Sequence, residues 1–253
     1  MKNIAIITGA SSGFGKDYAT EIDRLREVDE IYLLARREEK LIETASLLKF
    51  SKPVIYKIDL INEQEILSFS KKISQEKVCV KYLVNNAGFG KVGLFDKIDY
   101  DFYSRMIDLN VKAVVSLTHK ILPLMSSGSS IINISSAAAF SPLPYFNIYA
   151  ATKVFVLNFS NALKIELENQ GIKVLAVCPG PAETEFFDIQ GGVKTRGVNI
   201  AKSIEVVKLS LRDLKYNRFM SVYGFDVNIL RLISFLLPRN ILSRLAGVFK
   251  SLK

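Results

Sequence analysis

Histidine and cysteine are almost absent from this 253-residue chain, and tryptophan is missing altogether. The single histidine, His119, excludes a histidine-rich metal site and leaves any Ser-His-Asp triad dependent on that residue alone. It falls within a helical stretch and reads as a helix-face residue rather than a base. Two cysteines, Cys79 and Cys178, lack CxxC spacing. They read as free thiols in a reducing compartment, so a cytoplasmic location is expected. No apolar run approaches the ~18 residues of a spanning helix. Met1-Lys2-Asn3 runs straight into Ile4-Ala5-Ile6-Ile7, too short for the core of a secretory signal. No Gly/Ser linker and no repeat interrupts the chain, so one domain over 1–253 is expected. The formal net charge of +9 favours anionic partners. The charges are dispersed and no nucleic-acid-reading motif accompanies them, so nucleic acid is not expected as a partner.

Short β-branched, mostly apolar runs at 4–8, 31–35, 54–58, 82–85, 131–135 and 174–178 read as strands buried on both faces. Helical patterns lie between them at 13–28, 38–50, 62–75, 101–124 and 147–169. This alternation predicts right-handed crossovers and an α/β fold with a doubly wound parallel sheet. The stretch 181–217 reads as irregular to helical, and 219–223 supplies a seventh strand.

The first strand ends in Thr8-Gly9-Ala10-Ser11-Ser12-Gly13-Phe14-Gly15 and leads into a helical pattern. Glycines at such a turn let the backbone approach a pyrophosphate, and the helix N-terminus favours its charge. The spacing is GxxxGxG rather than GxGxxG. It narrowly misses a phosphate-hydrolase loop, which needs glycine in place of Ala10 and Ser or Thr in place of Asp17. In dinucleotide sites an acid about 20 residues beyond the glycines holds the ribose 2′-hydroxyl. Counting from Gly15 reaches Ala35, with Arg36-Arg37 next and no acid at the tip. Two guanidiniums there suit a 2′-phosphate, which predicts NADP(H) in preference to NAD(H); the competing reading is a solvated charge run with Glu38, Glu39 and Lys40.

Thr8-Gly9-x-x-x-Gly13-x-Gly15, Asn85-Asn86-Ala87-Gly88, Asn110, Ser136, Tyr149-x-x-x-Lys153 and Pro179-Gly180 together resemble the motif series of the short-chain dehydrogenase/reductases. They occur in the family's order, with Ser136 thirteen residues before Tyr149. The resemblance implies a single-domain Rossmann-type sheet of about seven strands. It implies a catalytic set of Asn110, Ser136, Tyr149 and Lys153, with Lys153 also on the nicotinamide ribose. It further implies cofactor contacts from Gly9, Ser11, Ser12, Gly13, Phe14, Gly15, Arg36, Arg37, Asp59, Leu60, Asn86, Ala87, Gly88, Tyr149, Lys153, Pro179, Gly180 and Thr184. In that reading Asp59 meets the adenine, Thr184 lies near the carboxamide, and Asn110 marks a local helix distortion that holds a water. Two residue-level alternatives stand beside it: Asp59 as N-cap of 62–75, and Asn110 as a buried, satisfied amide.

The chemistry of the set follows from the residues. Tyr149 and Lys153 are four apart in a helical stretch and share a face. A tyrosine with its ordinary pKa near 10 is a poor acid/base at neutral pH, and a nearby ammonium is expected to lower it. Ser136 lies at a strand end and can hydrogen-bond the substrate oxygen. The expected activity is reversible reduction of a ketone or aldehyde, with a small carbonyl or alcohol as partner. A dinucleotide-binding sensor with little turnover is the alternative, but a sensor does not need a proton donor.

The end of the chain departs from the family's shorter, more polar ending. From 229 to 253 there are five basic residues and no acid. Pro238 separates two helical stretches, and Ile241, Leu242, Leu245, Val248, Phe249 and Leu252 share one face of the second. Such a face packs on its own domain, on a second subunit, or on a membrane surface. Packing against protein is the expectation, with peripheral membrane contact as the alternative. Region 185–253 is assigned to the substrate side and the apolar content hints at a lipophilic substrate. A homo-oligomer, dimer or tetramer, is expected to pair through 101–124 and 147–169.

Overall fold

The computed structural model describes residues 1–185 and 200–251. The apolar runs form seven parallel strands: β1 (Lys2–Thr8), β2 (Glu30–Ala35), β3 (Lys52–Lys57), β4 (Val78–Asn85), β5 (Ser130–Ile134), β6 (Lys173–Val177) and β7 (Met220–Ser221). They hydrogen-bond in the order β3-β2-β1-β4-β5-β6-β7. The chain therefore winds outward from β1 to β3, then restarts on the other side of β1 with β4. That reversal opens a crevice at the carboxyl ends of β1 and β4, where ligands bind in doubly wound sheets.

Alternation along the strands builds two cores. Ile4 and Ile6 of β1 pack with Leu83 of β4 under helices α3 (Glu63–Ser74), α5 (Ala113–Ile121) and α6 (Asn147–Leu167). Ala5 and Ile7 point to the other face and meet α1 (Gly13–Leu25), α2 (Glu38–Ala45) and α7 (Ser203–Lys215). The seventh strand is two residues long, which leaves little open edge for unwanted pairing.

Several element boundaries differ from the sequence expectation for local reasons. The helix expected over 13–28 stops at Leu25, where Arg26 turns left-handed at φ 56°. The stretch 101–124 is not one helix. It is α4 (Tyr100–Ile107), a five-residue π-turn (Asp108–Lys112), α5, and a 3₁₀ turn at Leu122–Leu124 carrying Pro123. Periodicity alone does not reveal the turn, because both flanks keep a helical pattern. The end of the chain forms α8 (Phe225–Leu236) and α9 (Arg239–Ser251), broken at Pro238 as expected. The expected apolar positions Val248, Phe249 and Leu252 lie outside the described side chains.

Candidate active site

A cleft of about 990 Å³ opens over the β1/β4 switch point. One end is backbone-lined. Gly9 (φ 63°) and Gly13 (φ 50°) adopt left-handed conformations. A Cβ on Gly15 would lie 2.2 Å from the Gly9 carbonyl oxygen, so the turn admits only glycine there. Among the described residues no side chain caps α1 and no acid sits in its first turn, leaving its amides to face an anion. Thr8 locks the turn to the next strand: its hydroxyl donates to the Val84 carbonyl and accepts from Asn86 N (2.8 Å) and Ala87 N (3.0 Å). The Asn86 amide donates in turn to Thr8 O and Gly9 O. These features form a cradle that fits a dinucleotide pyrophosphate.

The rim of this end carries the two arginines. Arg36 and Arg37 both line the cleft beside Ser11, Ser12, Asp59 and Leu60. Arg37 donates to the hydroxyls of Ser11 (3.1 Å) and Ser12 (3.2 Å) and to Glu185 Oε2 (2.6 Å). Asp59 lines the cleft without capping the following helix. Asn62 is that cap, accepting from Gln64 N at 3.0 Å, while Asp59 closes its own turn on Ile61 N. The N-cap alternative for Asp59 is thereby corrected. Thr184 sits against the glycine turn, its Cγ2 2.9 Å from where a Gly13 Cβ would be.

The other end holds Ser136, Tyr149 and Lys153 together. Ser136 follows β5, and its hydroxyl accepts from Ala138 N at 3.1 Å. Its neighbour Ser135 is buried and donates to the Lys153 carbonyl (2.7 Å), so the alternation assigns Ser136 to the cleft. A buried chain of hydrogen bonds fixes the strands to the helices beneath: Asn85 to Asn133 (2.8 Å) and Thr118 (2.9 Å), then Asn133 to Ser160 (2.9 Å). Lys153 Nζ donates to the Ile134 carbonyl at 2.9 Å, which aims the ammonium at the cleft floor. Asn110 occupies the π-turn, fully inside, and bonds Phe89 N and O and Thr152 Oγ1 (3.1 Å). Asn110 Oδ1 and Lys153 Nζ converge on Gly88, lying 3.0 and 3.4 Å from its would-be Cβ. The helix distortion that the resemblance implies is therefore present, and the amide is also satisfied.

Burial sets the protonation states. It pushes the Tyr149 phenol up to about 12, against a hydrogen bond with Ser136 that pulls it down. It lowers the Lys153 ammonium to about 8. The expectation that Lys153 lowers Tyr149 is corrected: Nζ lies 5.5 Å from the ring centroid and desolvation dominates. At neutral pH the phenol carries its proton. Cys178, also buried, has its thiol raised to about 12, and both cysteines are free. His119 is exposed on α5, away from the cleft lining.

Sequence reasoning missed an aromatic wall. Phe89, Phe102, Leu143, Phe146 and Leu230 line the cleft beyond Tyr149. Phe146 stacks on Tyr149 at 4.2 Å and Phe89 meets Phe102 edge-on at 5.1 Å. Phe89 and Phe146 each stand within three residues of a motif residue, which was the available signal. Glu185 was missed as well; no local pattern links it to Arg37.

A glycine turn at the switch point, sharing one cleft with half-buried Ser136 and buried Tyr149 and Lys153, is the arrangement of a dinucleotide-dependent oxidoreductase. The family model described as short chain dehydrogenase matches residues 3–190. The chain belongs to the short-chain dehydrogenase/reductase family, whose enzymes act on alcohol and carbonyl groups. Sulfoacetaldehyde reductase 2 of Chromohalobacter salexigens is 36% identical over 198 residues, covering 76% of this chain and 77% of that protein. A short-chain dehydrogenase from Sphingobium yanoikuyae, solved in complex with NADPH, superposes with TM-score 0.79 at 28% identity over 87% of each chain. The bulky-bulky ketone specific alcohol dehydrogenase from Comamonas testosteroni superposes with TM-score 0.76 at 26% identity over 92% of each chain.

Proposed function

We propose that this enzyme reduces an apolar ketone or aldehyde with NADPH as its preferred cofactor, and oxidises the alcohol in reverse. The observation that carries the reading is one cleft holding Ser136, Tyr149 and Lys153 at one end and the glycine turn with Arg36 and Arg37 at the other. When bound, the reduced nicotinamide supplies a hydride to the carbonyl carbon. Tyr149 donates its proton to the carbonyl oxygen, and its raised pKa keeps it in the donor form at neutral pH. Ser136 hydrogen-bonds the same oxygen as charge builds on it. Lys153, held by the Ile134 carbonyl with its remaining N–H groups free to turn, positions the ribose and returns a proton toward Tyr149. Asn110 positions this set by tying the π-turn to Phe89 and Thr152.

Arg36 and Arg37 support NADPH over NADH, since guanidiniums grip a phosphate and no acid stands at the strand tip to hold a ribose diol. The Sphingobium neighbour was solved with NADPH. The aromatic wall supports an apolar substrate, and region 200–251 supplies Leu230 to it. A homo-oligomer fits the outward faces of α5 and α6, where Val115, Phe155 and Ile165 are exposed.

Fluorescence titration with NADPH and NADH, followed by NADPH oxidation over ketones of increasing chain length, tests the reading. Tyr149→Phe keeps the ring and loses the proton. Turnover should fall by at least about 10²-fold while NADPH binding survives. Near-normal turnover removes Tyr149 from the chemistry, and a cofactor-binding chain without turnover on any carbonyl compound favours the sensor reading.

A further inference from the structure

We propose that α8 and α9 dock the protein on an anionic lipid surface. Helices α1, α2, α3, α5 and α7 bury their apolar stripes against the sheet, whereas α8 and α9 leave most of their described apolar residues exposed. Along α8, Phe225, Ile229, Leu232 and Leu236 form a stripe at helical spacing that faces outward, with Phe235 beside it. Leu232 is 61% exposed, Phe235 72% and Leu236 73%. In α9, Ile241 and Leu245 continue the outward apolar surface. Among the described residues of the two helices only Val227 and Leu242 are buried, so the domain itself leaves the stripe of α8 open.

The charges select the occupant. Residues 227–253 contain no aspartate or glutamate. Arg239 and Arg244 are exposed around the apolar surface, and Lys250 and Lys253 follow in the sequence. A second copy of this chain fits poorly: a two-fold contact brings a patch against itself, and here that sets the cations around α9 against cations, with Asp226 at the far end of α8 as the one acid of the two helices. An anionic bilayer answers both features, accepting Leu and Phe side chains at the acyl boundary and Arg at the headgroups. Among the described residues no helix is long and apolar enough to cross a membrane, so the contact lies in the surface plane. The family model matches residues 3–190, so α8 and α9 lie outside that match.

Vesicle flotation tests this independently of any activity. The intact protein should float with vesicles of equal parts phosphatidylcholine and phosphatidylglycerol, and high salt should weaken the association. It should bind pure phosphatidylcholine far less. Phe235→Asp with Leu236→Asp should weaken partitioning by at least about 10-fold, since two apolar side chains are lost from the boundary. Arg239→Glu with Arg244→Glu should weaken it by at least about 5-fold per cation. Thermal unfolding should match the parent in both variants; if the first fails to fold, the arginine pair, at exposed positions, carries the test. The proposal is overturned by no flotation with the anionic vesicles, by equal binding to both compositions, or by variants that float unchanged. It is also overturned if the apolar variant halves the particle mass in light scattering, which would make the surface a subunit interface.

Discussion

The helices packed on the sheet and the two that end the chain are built from the same kind of sequence and have opposite fates. In α3, Ile66, Phe69 and Ile73 recur at helical spacing and are buried against β1 and β4. In α8, Phe225, Ile229 and Leu232 recur just as regularly and stay in water. Amphipathicity therefore states that a helix has an apolar face, not what covers it. The sheet decides for the body, because each crossover returns its helix onto a strand face. Among the described residues α8 leads into α9 rather than into a further strand, and its stripe is not carried onto the sheet. Val227, Leu230 and Leu242 pack against the domain, while the outward stripe of α8 is open in the single chain; of the apolar face expected over 239–252, Val248, Phe249 and Leu252 lie outside the described side chains.

Substitutions sharpen that contrast from the inside outward. Leu83→Ala, at a fully buried position of the central strand, should cost about 2–5 kcal/mol, read from urea unfolding. A cost near zero would mean that the core tolerates what its packing forbids. The next effect is electrostatic. Lys153 has its folded pKa lowered from 10.5 to about 8, so its charged form is disfavoured in the folded state. The penalty is complete below pH 8 and is relieved as pH rises from 8 to 10.5, so that this residue's contribution to stability climbs by about 3 kcal/mol across that window. Urea unfolding of the parent minus that of Lys153→Met, measured through the window, should show the climb. A flat difference would mean that Lys153 is solvated.

Nearer the surface, Arg36→Ala with Arg37→Ala should weaken NADPH about 10- to 150-fold and NADH far less. Equal loss for the two would free the arginines from any role in reading a 2′-phosphate. The smallest effect belongs to the tail: Leu232→Ala should change stability by no more than about 0.5 kcal/mol in the absence of lipid. A larger loss would show the stripe covered by protein after all.

Most of the fold was legible because the strands of a sheet covered on both faces read as apolar runs, as Ile4-Ala5-Ile6-Ile7 does. The candidate site was legible through the order and spacing of the motif residues, and the structure gathers Ser136, Tyr149 and Lys153 in one cleft. What escaped was long-range or dielectric. The pairing of Arg37 with Glu185 spans 148 positions and leaves no local trace. The pKa of Tyr149 depends on how deeply the phenol sits, which the i, i+4 spacing to Lys153 does not report. The true cap at Asn62 was readable from Glu65 at capping-box spacing three residues on, although in the structure Glu65 accepts from the Asn62 side-chain amide and from Asp59 N rather than from the Asn62 backbone.

The Arg37–Glu185 ion pair turns the arrival of any phosphate at this rim into an exchange. Arg37 already holds an anion, and Ser11 and Ser12 share the same guanidinium nitrogen. That pairing holds the Glu185 carboxyl below its ordinary pKa, so the incumbent keeps its charge through neutral pH. An incoming phosphate is therefore measured against the carboxylate it displaces, and its affinity is the difference between two ion pairs rather than the strength of one. Discrimination between ligands with and without that phosphate can then be retuned from residue 185 alone, by weakening the competitor and leaving both arginines as they are.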